Sequence, residues 1–445
     1  MVKLTRPIIG WISYDFANSA FATIVLAVIF NRYFALVVAG GQEGVTISLP
    51  WGGITIPGAS MWAFLVAIST AFVAVLSPFL GAMADQAGLR KRLLITFCYI
   101  GVAATITLSI IGEGEILTGS IIFMIANFGF AAGNVFYNAF LLDVSKRESF
   151  GKISGLAWGL GYLGGGLCLI LNLIMLERPQ LLGFPEGAFD VGDCMIVAGV
   201  WWGLFALPTC LWLKDRAKPE QKPSLIKMTI AGCKRLRQTF GEIRRYRQLI
   251  RFLIAYLLFN DGIETVIIMA SIFGAVEVGM SAGELIGFFI MVQAAALSGA
   301  LLFGWIADWF GNRNTLLIML SIWLGVVVWA FFLGWFNDAR TEFYIIGILA
   351  GIAMGGSQTT ARALQASFTP HDQSAEFFGF WAVSGRFASI FGPLIYGAAI
   401  LVTGGVRSGI LALGLFFVAG GVVLWRVDEV EGIQAAVDTS NSNNS

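Results

Sequence analysis

Apolar stretches about twenty residues long recur along the whole of this chain, and they decide what it can fold into. A hydrocarbon layer about 30 Å thick takes roughly 20 helical residues to cross. Candidates fall near 8–38, 61–84, 93–111, 118–142, 152–176, 193–213, 249–276, 284–307, 315–336, 343–366, 377–402 and 407–426. Only 12% of the 445 residues are charged and 57% are hydrophobic, where soluble domains carry about 25% charged residues. No single soluble core hides that much apolar surface, so the chain needs lipid as its solvent. The opening Met1-Val-Lys-Leu-Thr-Arg6 before an apolar run has the outline of a signal peptide. The run exceeds the ~7–15 residues of such a segment, and Asp15 and Asn18 interrupt it, which favours a first spanning helix behind a short tail.

Charge gives the spans an orientation. With the N-terminus inside, three of the 28 Lys and Arg fall outside (Arg178, Arg340, Arg407), three fall within spans (Arg32, Arg362, Arg386), and the other 22 lie on the cytoplasmic side. That bias follows the positive-inside rule and places both termini in the cytoplasm, in a bacterial inner (plasma) membrane. The net charge of +1 gives no general attraction to nucleic acid. Cys98, Cys168, Cys194, Cys210 and Cys233 form no CxxC pair, and the single histidine, His371, builds no zinc site alone. Gly159, Gly161 and Gly164 satisfy GxGxxG, but no strand precedes them and they lie in an apolar span. No metal, cofactor or catalytic constellation is expected, and the chain does not read as an enzyme.

A loop motif occurs once in each half. Gly81-Ala-Met-Ala-Asp85-Gln-Ala-Gly88-Leu-Arg90-Lys91-Arg92 follows the second apolar run, and Gly304-Trp-Ile-Ala-Asp308-Trp-Phe-Gly311-Asn-Arg313 follows the eighth, with the two aspartates 223 positions apart. One copy passes for an ordinary polar turn; two in register do not. The motif resembles the signature loop of the major facilitator superfamily of transporters. The repeat extends further: Asn134 and Asn138, moved by 224, land on Gln358 and Arg362. The expected architecture is an all-α polytopic membrane protein with twelve transmembrane helices in two pseudo-symmetric six-helix bundles.

The first bundle occupies 1–213 and the second 248–428. Between them lies a basic cytoplasmic linker, 214–247, in which Ile226, Ile230, Cys233, Leu236, Phe240 and Ile243 recur at helical spacing. This suits an amphipathic helix on the membrane surface, with a solvated linker as the alternative. A small hairpin is expected around Pro50-Trp51-Gly52-Gly53, and 429–445 reads as a disordered tail.

Polar residues inside a bilayer are costly, about 2.5–3.5 kcal/mol for Asp or Arg on insertion scales, so they face a cavity or a partner. Here they gather on every third span: Asp15 and Asn18; Asn127, Asn134 and Asn138; Asn260, Asp261 and Glu264; Gln358, Arg362 and Gln365; with Arg386 on the eleventh. A solute or proton pathway is one reading. The others are that Asp15 tethers the end of its span, that the asparagines join helices, that Asp261 and Glu264 pair with Arg386, and that Arg362 snorkels to the surface.

Tyr14-Asp15-Phe16-Ala17-Asn18-Ser19-Ala20, Phe136-Tyr137-Asn138-Ala139-Phe140-Leu141, Asn260-Asp261-Gly262, Glu376-Phe377-Phe378-Gly379, Ser384-Gly385-Arg386 and Gly392-Pro393 together look like the vacuole-effluxer-like branch of the superfamily. The resemblance implies export of amino acids. The chain then reads as a monomeric secondary transporter of a small solute, coupled to protons through Asp261 or, alternatively, Asp15. Asp85 and Asp308 would be conformational latches held by Arg90, Lys91 and Arg313. The competing reading, from another class, is a membrane receptor or assembly factor that keeps the fold and moves no solute.

Overall fold

The computed structural model describes residues 4–41, 44–49, 52–56, 58–215, 234, 246–387, 391–403 and 405–443. The amphipathic helix expected within 214–247 lies almost wholly outside the described residues.

Every expected span meets a helix. Spans 1 to 6 are Arg6–Val38, Gly58–Ala87, Arg90–Ile110, Ile116–Val144, Arg147–Glu177 and Val191–Trp212; spans 7 to 9 are Arg247–Glu277, Ala282–Phe310 and Asn312–Phe331. Span 10 is Ala339–Ser367, span 11 comprises Ser374–Phe387 and Phe391–Thr403, and span 12 is Val406–Trp425. Ten helices among the described residues are long and apolar enough to cross a bilayer by themselves. Span 10 reaches 29 residues, but Gly, Ser, Gln and Thr dilute its second half. Span 11 is described as two helical segments, on either side of residues 388–390. Two strands stand beside these helices: Val45–Leu49 pairs antiparallel with Gly52–Ile56, the hairpin expected from the sequence. Span 1 carries π-helical stretches at Phe21–Val28 and Phe34–Val38, which no sequence pattern announced.

The helices form two bundles, each around its own apolar core. Trp11, Phe21, Phe123 and Trp202 are central to the first, and Phe252, Trp323, Phe343 and Phe417 to the second. Glycines let the bundles touch at one end. A Cβ on Gly81 would sit 2.1 Å from the Ala375 carbonyl oxygen, and one on Gly155 would sit 2.3 Å from that of Ala300. The same close approach recurs between Gly304 and Gly151 and between Gly379 and Ser77. These contacts lie at the end that carries the two motif loops. Further along the same helices, a Cβ at Gly166, Gly287 or Gly397 meets nothing within 4 Å. The close approaches of these glycines across the seam thus gather at the loop end. In the loops themselves, Gly88 and Gly311 have φ of 61° and 90°, a region other residues enter only with strain.

The end of the chain departs from expectation. Residues Glu429–Asn443 form a helix and not a disordered tail. Asp428 accepts from Glu431 N–H at 3.0 Å, and Gln248 on span 7 bridges Asp428 N–H and the Glu431 carboxylate. Ala436 and Thr439 are buried. The polar run at the very end had masked an Asp-x-x-Glu start and an apolar helical stripe. Glu429 also caps span 9, accepting from Asn312 N–H at 3.2 Å and Arg313 N–H at 3.0 Å. Losing such a cap costs about 0.5–2 kcal/mol. Glu429→Ala is expected to lower the thermal midpoint of the purified protein measurably, whereas Gln434→Ala on the exposed face of the same helix leaves it unchanged.

Candidate functional site

The central feature is one arginine from the second bundle seated wholly in the first. Arg362 on span 10 is 1% exposed. Its Nη1 donates to Asp15 Oδ2 at 2.8 Å and to Asn138 Oδ1 at 3.4 Å; Nε donates to Ser154 Oγ at 2.9 Å, and Nη2 to the Ser154 carbonyl at 3.0 Å. Three rings surround the guanidinium. Its Cζ lies 5.1 Å from the Trp11 centroid, 5.8 Å from Tyr137 and 4.8 Å from Trp158. All these partners stand on spans 1, 4 and 5. Arg362 does not snorkel; it crosses the seam.

The rings are held in place. Trp11 Nε1 donates to the Tyr137 carbonyl at 2.8 Å, and Trp11 and Tyr14 each stack against the Tyr137 ring with centroids 4.8 Å apart. A second cross-seam bond joins the Tyr162 hydroxyl to Gln358 Oε1, and a third joins Ser154 Oγ to the Thr359 carbonyl at 3.0 Å. Asn18 donates to Asn134 at 2.8 Å within the first bundle. Asn127 donates to Ser69 at 2.8 Å, so that member of the asparagine stripe does join helices.

Span 7 behaves differently. Asp261 is 0% exposed, and its two oxygens accept from Phe391 N–H at 3.1 Å and Gly392 N–H at 2.9 Å. Both amides belong to the segment Phe391–Thr403 of span 11. The expected pairing of Asp261 and Glu264 with Arg386 falls on a side chain outside the described residues. Asp261 thus ties span 7 to span 11 through two backbone amides. Asn260 is buried and Glu264 half-buried.

The two motif aspartates do the same job in mirror image. Asp85 accepts from Ala375 N–H at 3.2 Å and Glu376 N–H at 2.9 Å; Asp308 accepts from Gly151 N–H at 2.7 Å and Lys152 N–H at 3.0 Å. Each acid thus caps the first turn of a helix in the opposite bundle, and the capped residues are themselves 224 apart. Their cations differ from expectation. Arg90 holds Asp85 at 2.5 Å and reaches Asp143 at 3.3 Å and the His371 carbonyl at 3.2 Å. Lys91 instead gives its N–H to Asp215 at 2.9 Å, and Arg313 turns to the Leu424 and Trp425 carbonyls. Among the described residues the cation at Asp308 is Lys152, at 3.9 Å. Burial pushes the Asp215 carboxyl above its ordinary value, against the Lys91 N–H and the nearby Arg90. Arg147 adds a seal by donating to the Ser367 and Thr369 carbonyls.

This asymmetry carries an expectation. Asp85→Asn is expected to lengthen the distance between labels at the exposed positions Arg92 and Asn314, because it undoes both the cap and the Arg90 hub. Asp308→Asn is expected to lengthen it less. Equal distributions in Asp85→Asn and the unsubstituted protein would mean that the loop is no latch.

Comparison with known proteins agrees with this geometry. The chain matches the family described as "Vacuole effluxer Atg22 like" over residues 5–149 and 142–437. It is 30% identical to an uncharacterized MFS-type transporter, YxiO, of Bacillus subtilis strain 168, over 100% of this chain and 99% of that one. It is 22% identical to autophagy-related protein 22 of Gibberella zeae, over 96% of this chain and 80% of the relative. Among solved structures, a bacterial homologue of the iron transporter ferroportin in its outward-facing state superposes with TM-score 0.66 at 12% identity, covering 95% and 99% of the two chains. The proton:xylose symporter XylE does so with TM-score 0.66 at 14% identity, covering 96% and 95%.

Proposed function

Because the chain belongs to the vacuole-effluxer family of major facilitator transporters, we propose that it moves a small solute, an amino acid, by alternating access coupled to protons. The observation that carries this reading is Arg362, a charge from one bundle held entirely by the other near the closed end of the seam. A static scaffold gains little from such a pair, since a buried ion pair is weak evidence for stability. A moving one gains a gate, since the pair must break whenever the loop end opens.

In this reading the loop end and both termini face the cytoplasm of a bacterial cell, and the described state opens outward. The solute enters between spans 1, 4, 7 and 10, bordered by Asn18, Asn134, Glu264, Gln358 and Arg386. Asp15 carries the coupling, because Asp261 is committed to backbone amides. Asp15 also faces a cation that leaves when the bundles part. The protein works as a monomer, since one chain supplies both bundles.

The test is flux through purified protein in liposomes, against a panel of labelled amino acids, with an imposed pH gradient of either sign. Gradient-dependent accumulation or efflux of at least one panel member is expected. Leakage no faster than in empty liposomes under both gradients would sink the transporter reading and favour a receptor on the same fold.

A further inference from the structure

The surroundings of Arg362 have the composition of a recognition site for a positive group. Three aromatic faces stand within 6 Å of one cation, the range in which ring quadrupoles attract it. A carboxylate at 2.8 Å completes the set. Trp11 and Tyr137 are fully buried and Asp15 nearly so. The Nε1–H of Trp158 is also buried, with no acceptor among the described residues, so the wall holds a spare donor beside the cation.

Ownership of these groups matters more than their number. Asp15, Trp11, Tyr137, Trp158, Asn138 and Ser154 all belong to the first bundle, and only the guanidinium belongs to the second. Parting the bundles at the loop end withdraws the guanidinium as a unit. It leaves a preformed box, lined by three rings, with an unneutralised carboxylate at its floor. A buried carboxylate without a partner is costly, and a box of this kind is how proteins hold organic ammonium groups.

We propose that Asp15, Trp11, Tyr137 and Trp158 form a binding site for an organic cation, an amine or guanidine, which Arg362 fills while the loop end is closed. The arginine is a tethered stand-in for the solute's positive group. The solute takes its place when the loop end opens, and must leave before the end recloses. This deepens the transporter reading and rests on it in one respect: the box empties only if the bundles part.

Methylguanidinium is the probe, and methylurea, its neutral near-isostere, is the control. In purified full-length Arg362→Ala, methylguanidinium is expected to raise the melting temperature saturably. Its affinity should exceed that of methylurea by about tenfold or more. Adding Asp15→Asn is expected to abolish the difference. Should Arg362→Ala fail to fold, the unsubstituted protein gives the answer. Labels at Arg92 and Asn314 should then report a shift towards the open loop end with methylguanidinium and none with methylurea, because a ligand that binds one state alone shifts the population towards it. No response to methylguanidinium in either protein would overturn the proposal. So would equal responses to both probes. Neither readout needs flux, so failure of the liposome experiment leaves this result separately readable.

Discussion

Arg362→Gln is expected to weaken the loop-end-closed state by about 3–5 kcal/mol, the usual cost of removing one member of a buried ion pair. The substitution leaves Asp15, 7% exposed, without its cation, and deprives the Ser154 carbonyl and Asn138 of a donor. At about 1.4 kcal/mol per tenfold, the balance between closed and open loop ends moves by a hundredfold or more. Spin labels at Arg92 and Asn314 should report long distances where the unsubstituted protein gives short ones, and flux should fall to background because reclosing fails. Adding Asp15→Asn removes the uncompensated charge and should restore most of the short-distance population. That double-mutant cycle separates the ion pair from simple loss of packing. A short-distance distribution unchanged in Arg362→Gln would show that the guanidinium does not hold the seam.

The second large effect is expected at Gly155. Its Cβ position is already 2.3 Å from the Ala300 carbonyl oxygen and 3.2 Å from the Gly304 Cα. Both obstacles are helix backbone, so they yield only if the bundles separate. Gly155→Leu is therefore expected to trap the loop end open while each bundle, with its own core, stays folded. Overpacking costs about 1–3 kcal/mol or more, enough to reverse a modest closed-state preference. A cysteine at Thr359, fully buried in the seam, should become reactive towards a membrane-impermeant maleimide in Gly155→Leu. It should stay protected in Gly166→Leu, on the same helix where nothing lies within 4 Å. Equal protection in both would show that the glycine seam tolerates bulk.

What could be read from the sequence follows from what lipid forces a sequence to declare. Spans are legible because each must be long and apolar whatever it packs against. Asp15, Asn138 and Arg362 were legible because polar groups in hydrocarbon stand out. Their pairing was not, because Asp15 and Arg362 are 347 positions apart and no local pattern encodes contact across a seam. Trp11, Tyr137 and Trp158 were invisible as site residues because an aromatic side chain in an apolar span reads as core. The amide bonds of Asp261 were not legible either, since Phe391 and Gly392 are 130 and 131 positions away. The 224-residue offset proved the most informative regularity, since it carried over from residue spacing to the hydrogen bonds of Asp85 and Asp308.

That offset also has a consequence at the pair of positions that meet across the seam. Asn138 and Arg362 occupy equivalent positions in the two bundles and touch each other at 3.4 Å, so both stand on the pseudo-twofold axis. A residue on such an axis faces its own counterpart. Were the bundles identical there, two arginines would confront each other and repel, or two asparagines would leave Asp15 without a cation. Everywhere else a duplicated bundle can keep matching residues without penalty. At the axis, the first charge to be useful had to be a charge that only one copy carried.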